Sequence, residues 1–131
     1  MGFFTKSGGK TRILVVDDSP LIVMSIKLIL EDAGYEVLDA SDGAAGLKLA
    51  EDKLPNLILL DLLMPGIDGI ETLSRLKISA KTADIPVLMV TGSQTGKDVE
   101  KAFGYGASGY VVKPVEADRL LAKITAALAA K

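Results

Sequence analysis

Five polar residues in this 131-residue chain each stand at the end of a short apolar run. Asp17 and Asp18 follow residues 12–16, Asp61 follows residues 57–60, Thr91 closes residues 86–90, and Lys113 follows residues 109–112. A carboxylate so placed can cap a helix, bind a hard cation or act as a nucleophile. Capping accounts for Asp17 and Asp18, which precede a helical pattern. It does not account for Asp61, which runs into Leu62-Leu63-Met64-Pro65-Gly66 and begins no helix. Taken singly, Thr91 is an ordinary turn residue and Lys113 an ordinary solvated charge. Three acids, a hydroxyl and an ammonium group delivered to one edge of a sheet are harder to explain as capping and turns.

The runs that carry these residues are short, uninterrupted and bounded by turn signals, which describes strands buried on both faces. Residues 12–17, 35–38, 57–60, 86–91 and 109–112 give five strands. Five helical patterns alternate with them. The first has Ser19 as N-cap and Pro20 at its first position, with Ile22, Ile26, Ile29, Leu30 and Ala33 on one face and Gly34 after its end. The second opens at Ser41-Asp42-Gly43 and stops before Pro55. The third starts from the capping pattern Asp68-x-x-Glu71 and turns Ile70, Leu73 and Leu76 inward. The fourth follows the loop 92–96 and is weakly patterned through Val99, Ala102 and Phe103, ending near residues 104–106. The fifth covers about residues 116–129, with Leu120, Leu121, Ile124 and Leu128 aligned. Strict alternation predicts an α/β fold, a doubly wound parallel sheet with helices on both faces. The flavodoxin-like (βα)5 order 2-1-3-4-5 has its switch point between the first and third strands, where ligands bind.

That order sets Asp17 and Asp61 on neighbouring strands, about 4.8 Å apart. Two carboxylates at that spacing repel by about 3 to 4 kcal/mol at an effective dielectric of 20. Asp18 adds a third charge, and Lys113 compensates only one. Either a carboxyl keeps its proton or a divalent cation binds. A small oxygen-ligated cation suits one or two carboxylates together with phosphate oxygens. A phosphoryl group would use the whole set: a carboxylate nucleophile, a metal and a lysine on its oxygens, and a hydroxyl donor. Glycosidase chemistry also uses paired carboxylates but leaves Thr91 and Lys113 without a task.

The totals narrow the classes. The composition is 49% hydrophobic and 24% charged, as in an ordinary globular domain, with a net charge of −2 that argues against nucleic-acid binding by bulk electrostatics. There are no cysteines and no histidines, so disulfides, thiol catalysis, imidazole bases and thiolate or imidazole metal sites are excluded. Absence of cysteine fits a cytoplasmic location. No membrane insertion is expected, since the most apolar helical stretch is short and carries Ser25 and Lys27. Residues 1–10 read as a flexible N-terminal tail, and 11–131 as one domain.

The chain resembles a receiver domain of a bacterial two-component response regulator, similar to the single-domain chemotaxis type. The resemblance spans about residues 11–130. It rests on Asp17-Asp18 after the first strand, Asp61 in Leu-Asp-Leu-Leu-Met-Pro-Gly, Thr91 followed by Gly92, and Tyr110-Val-Val-Lys113-Pro114. It implies that Asp61 is the phosphoacceptor and that Asp17, Asp18, Asp61 and the backbone carbonyl of Leu63 bind Mg²⁺ (or Mn²⁺), with no other cofactor. Lys113 and Thr91 would contact the phosphoryl oxygens. Thr91 and Tyr110 would form the switch, and the peptide before Pro114 is often cis in the family. The partners implied are a histidine kinase or histidine phosphotransfer protein and a downstream target at the face of the fourth helix, fifth strand and fifth helix. The protein would be a switch rather than a turnover enzyme, a monomer or a phosphorylation-dependent dimer. With no histidine of its own, it must receive the phosphoryl group from another protein.

Two alternatives remain at this stage. An aspartate-nucleophile phosphatase shares the carboxylate chemistry but commonly has a second Asp two residues past the nucleophile, where this chain has Leu63. The chain could also be the receiver part of a larger multidomain regulator. A nucleotide- or flavin-binding module is disfavoured, because Asp17-Asp18-Ser19-Pro20 would repel phosphate without metal. A phosphorylation-independent scaffold would have no use for the intact set of site residues. Leu63 stands where many relatives have a polar side chain, and it is expected to hinder water at the acyl phosphate. Ser93, two past Thr91, leaves the mouth of the site open.

Overall fold

In the computed structural model, which describes residues 9–130, five strands and five helices alternate along the chain. The tail expected over residues 1–10 lies, for residues 1–8, outside the described residues. The strands are β1 (Arg12–Val16), β2 (Glu36–Ala40), β3 (Leu57–Leu60), β4 (Val87–Thr91) and β5 (Gly109–Val112). The helices are α1 (Pro20–Asp32), α2 (Gly43–Lys53), α3 (Gly69–Ile78), α4 (Gly96–Gly104) and α5 (Ala117–Ala129). All neighbouring strands are parallel, in the order β2-β1-β3-β4-β5. This is the flavodoxin-like doubly wound sheet expected from the alternation.

Side chains alternate across each strand, so the sheet divides the core in two. Ile13, Val15, Leu57, Leu59, Leu88 and Val90 face α1 and α5, meeting Ile26, Leu30, Leu120 and Ile124. Leu14, Val16, Ile58, Leu60, Val87 and Met89 face the other way, toward Ala50, Leu73, Leu76 and Ala102 of α2, α3 and α4. Both layers are closed over the central strands, which is why β3 and β4 contain no polar residue until their carboxyl ends.

Helix starts follow local chemistry. Ser19 Oγ accepts from the Ile22 amide at 3.3 Å, with Pro20 at the first helical position. Asp42 and Asp68 accept from Ala45 and Glu71 at 2.8 and 2.9 Å. Each bond satisfies an amide that the helix itself leaves unpaired.

Three local expectations are corrected. β2 runs two residues beyond Leu38, because Asp39 and Ala40 pair with Val15 and Val16; an edge strand tolerates the exposed Asp39. Phe103 is 47% exposed rather than turned into the core. It lies about 100° around α4 from Ala102, the one side chain that helix fully buries. Ala33 is exposed as the C-cap of α1 and takes no part in its buried face. Among the described residues, no helix is long and apolar enough to cross a membrane.

Candidate functional site

The register brings the strand ends together. Val16 pairs with Leu60, so the next residues, Asp17 and Asp61, emerge side by side. The Asp61 amide donates to the Val16 carbonyl at 3.0 Å. Thr91 pairs with Val112, and the Lys113 amide donates to the Thr91 carbonyl at 2.8 Å. Behind Asp61, α3 begins so close that a Cβ on Gly69 would lie 2.2 Å from the Asp61 carbonyl oxygen. Only glycine fits there. The intervening turn is made by Pro65 and Gly66, the latter at φ +80°, a conformation that disfavours other residues.

Asp17 and Asp61 are buried, while Asp18 faces solvent. One oxygen from each of the three carboxylates lies within 4.8 Å of the other two. Asp17 Oδ1 accepts from the Ser19 amide at 2.9 Å, and its Oδ2 accepts from Lys113 Nζ at 2.8 Å. Lys113 Nζ is 3.5 Å from Asp61 Oδ2. Asp61 Oδ1 accepts from the Leu63 amide at 3.3 Å.

Burial, reinforced by the neighbouring Asp17 charge, pushes the Asp61 carboxyl above its ordinary range. Lys113, the Leu63 amide and the Thr91 hydroxyl oppose that shift without cancelling it. The site therefore holds more negative charge than its own residues neutralise. The donor set is all hard oxygen on a rigid edge and suits a small divalent cation such as Mg²⁺.

Thr91 is fully buried at the base of the loop to α4. Its Oγ1 accepts from the Ser93 amide at 3.5 Å, and the Ser93 carbonyl accepts from the Tyr110 hydroxyl at 3.0 Å. Tyr110 is half-buried. Burial raises the pKa of its phenol above the ordinary value, and the bond to Ser93 partly offsets this. The Lys113–Pro114 peptide is cis. Leu63 is 63% exposed at the mouth of the site.

The response regulator receiver domain family model matches residues 13–125. The chain belongs to the response regulator receiver family. As a receiver domain of a two-component system it is similar to Protein PilH of Pseudomonas aeruginosa, 39% identical over 120 residues, covering 90% of this chain and 98% of that protein. It is 43% identical over 117 residues to the DNA-binding dual master transcriptional regulator RpaA of Synechocystis, covering 89% of this chain but 48% of RpaA. Thus the receiver spans about half the length of RpaA and nearly all of PilH. Among solved structures it matches a putative response regulator from Chloroflexus aurantiacus with a TM-score of 0.88 at 32% identity, covering 92% of this chain and 98% of that one. It also matches the Vibrio cholerae chemotaxis protein CheY4 at 0.86 and 30% identity, covering 90% and 98%.

The structure brings Asp17, Asp18, Asp61, Thr91 and Lys113 together at the carboxyl edge of the sheet, while Tyr110 lies within β5 and reaches the loop after β4 through the Ser93 carbonyl. Two participants were not foreseen. Thr95 caps α4, its Oγ1 accepting from the Asp98 amide at 3.1 Å, and the Ser93 hydroxyl donates to the Asp98 carboxylate. The pattern Thr95-x-x-Asp98 was the available signal for the first. Nothing periodic in the sequence marks the second.

Proposed function

We propose that this receiver accepts a phosphoryl group on Asp61 from a partner phosphohistidine and uses it to switch a protein-binding face. The observation that carries the reading is the buried Asp61 carboxylate, within 4.8 Å of Asp17 and Asp18 and 3.5 Å from Lys113 Nζ. In the transfer, an Asp61 oxygen attacks phosphorus as the bond from phosphorus to the imidazole nitrogen breaks. The imidazole leaves with the electron pair, and an acyl phosphate forms. Asp17, Asp18, Asp61 and the Leu63 carbonyl would hold Mg²⁺. When bound, that ion supplies positive charge to the phosphoryl oxygens and relieves repulsion among the acids.

Lys113 gives a second phosphoryl oxygen its cation. The Thr91 hydroxyl donates to a third, and its displacement is felt through Ser93 at Tyr110. Output is then read on α4, β5 and α5 by a downstream protein. The exposed side chains Leu21, Met24 and Leu28 on α1 begin three residues past Asp18 and offer the phosphodonor an apolar footing beside the site.

The test is incubation with acetyl phosphate, with and without Mg²⁺, followed by intact-mass measurement. One added phosphoryl group is expected, dependent on Mg²⁺ and lost in Asp61→Asn. An unmodified wild-type protein would overturn the reading, and sustained phosphate release would point instead to a phosphatase.

A further inference from the structure

Ser93 is a junction. Its amide donates to Thr91 Oγ1 at 3.5 Å, its carbonyl accepts from the Tyr110 hydroxyl at 3.0 Å, and its hydroxyl donates to the Asp98 carboxylate. Every polar group of the residue is committed, to three different elements. Thr91 ends β4, Tyr110 lies in β5, and Asp98 is in the first turn of α4.

Asp98 is unusual in how it spends its carboxylate. It is the third residue after the N-cap Thr95, and it receives the Thr95 side chain on its amide. In a closed capping box its own side chain would return to the N-cap amide. Here the carboxylate instead reaches back over the loop to Ser93. This matters because α4 fully buries only Ala102, so apolar packing holds it weakly. A polar tie at its amino end therefore has a large share in deciding where the first turn sits. The Asp98 charge also reaches the Tyr110 hydroxyl, where it favours the protonated phenol.

We propose that Asp98 is a positioning residue which, through the Ser93 hydroxyl, locks the first turn of α4 to the Thr91–Ser93–Tyr110 chain. The inference rests on the phosphoacceptor reading for its consequence, the coupling of Asp61 to α4, but the lock itself exists without phosphate. Ser93 and Asp98 touch no reacting atom. They act by holding the residues that do and by making α4 follow them.

The experiment is a double-mutant cycle on the full chain with Ser93→Ala and Asp98→Ala. It is read by amide hydrogen exchange over residues 96–104 and by the rate of acetyl phosphate labelling at Asp61. A charge-assisted hydrogen bond lost from a weakly packed turn should speed exchange there by about tenfold in either single variant. The double variant should be no worse than the singles, since both remove the same bond. Asp98→Asn, which keeps an acceptor for the hydroxyl, should recover most of the protection. Labelling of Asp61 should slow by about fivefold in the Ala variants, an effect a simple helix cap would not produce.

Lys97→Glu combined with Asp98→Ala separates the two roles. It restores an acid to the first turn without the bond to Ser93, so it should leave both defects in place. Additive effects in the cycle, or rescue by Lys97→Glu, would overturn the lock. So would unchanged exchange in Asp98→Ala. Failure of the wild-type protein to take up a phosphoryl group would sink the reading of Asp61 instead. The exchange cycle on the unphosphorylated protein would then decide the lock alone.

Discussion

Lys113 Nζ donates to Asp17 Oδ2 across 2.8 Å, tying the end of β5 to the end of β1 although β3 and β4 lie between them in the sheet. The lysine stem crosses the mouth of the site and brings its ammonium within 3.5 Å of Asp61 as well. One cation thus serves two buried carboxylates. Lys113→Met keeps the stem and removes the charge. Leaving both acids without their partner should cost about 1–3 kcal/mol of stability in chelator-treated buffer. Added Mg²⁺ should narrow the deficit, because it returns positive charge to the same place. Urea unfolding with and without the ion measures both effects, and an unchanged midpoint without Mg²⁺ would refute the assignment.

Asp61 is a stability liability in the metal-free protein. Its carboxyl is raised by burial and by Asp17 relative to the ordinary 3.8. Between that value and the raised one, the folded state binds more protons than the unfolded state, so stability falls as pH rises through this window. Above the window the penalty is complete; below it the penalty vanishes. Asp61→Asn should therefore be more stable than the wild type at neutral pH without metal, and the gain should shrink to nothing as pH falls below the ordinary carboxylate range. Thermal melts of the two proteins across pH, compared as differences, test this. A variant no more stable than wild type at pH 7 contradicts it.

Leu54 closes α2 in the left-handed region, at φ 47°, and is the one non-glycine residue with positive φ among the described residues. Its amide caps the helix by donating to Ala50 O at 2.9 Å, so the strained turn is held by a backbone bond that any residue keeps. Relief of the Cβ clash, less the entropy glycine gains when unfolded, should leave Leu54→Gly more stable by about 0.5–1 kcal/mol. The side chain is 53% exposed, so little packing is lost. Destabilisation on chemical unfolding would show that Leu54 contributes more by contact than its exposure implies.

The edge of the sheet was legible because parallel strands buried on both faces exclude polar residues until they end. Asp17, Asp61, Thr91 and Lys113 therefore announce both the strand ends and their shared side. The strand order follows from alternation and handedness, and β1 beside β3 follows from the order. What was not legible depends on atoms brought close by the loops rather than by any period. The approach of Gly69 to the Asp61 carbonyl, the left-handed Leu54 and the reach of Asp98 to Ser93 are of this kind. Phe103 misled for a related reason. Its apolar side chain fitted a helical stripe, yet α4 lies on its sheet through the small Ala102 and leaves the neighbouring position outside.

Leu63 is the remaining departure with a measurable consequence. Its amide donates to Asp61 Oδ1 at 3.3 Å, which fixes the backbone beside the acceptor, while its side chain is 63% exposed over the opening. An apolar group there can neither orient nor hydrogen-bond a water aimed at the acyl phosphate, and it occupies part of the approach. Leu63→Asn keeps the backbone contact and replaces the shield with a group that can hold water. If the shield is worth about 1 kcal/mol of barrier, the phosphorylated form should lose its phosphoryl group about fivefold faster in the variant. The comparison is made by loading both proteins with acetyl phosphate and Mg²⁺, removing the donor and following the phosphorylated mass with time. Equal lifetimes would mean that water reaches Asp61 by a path Leu63 does not guard, and the persistence of the signal would then have to be sought in Thr91 and Lys113, the residues proposed to hold the other phosphoryl oxygens.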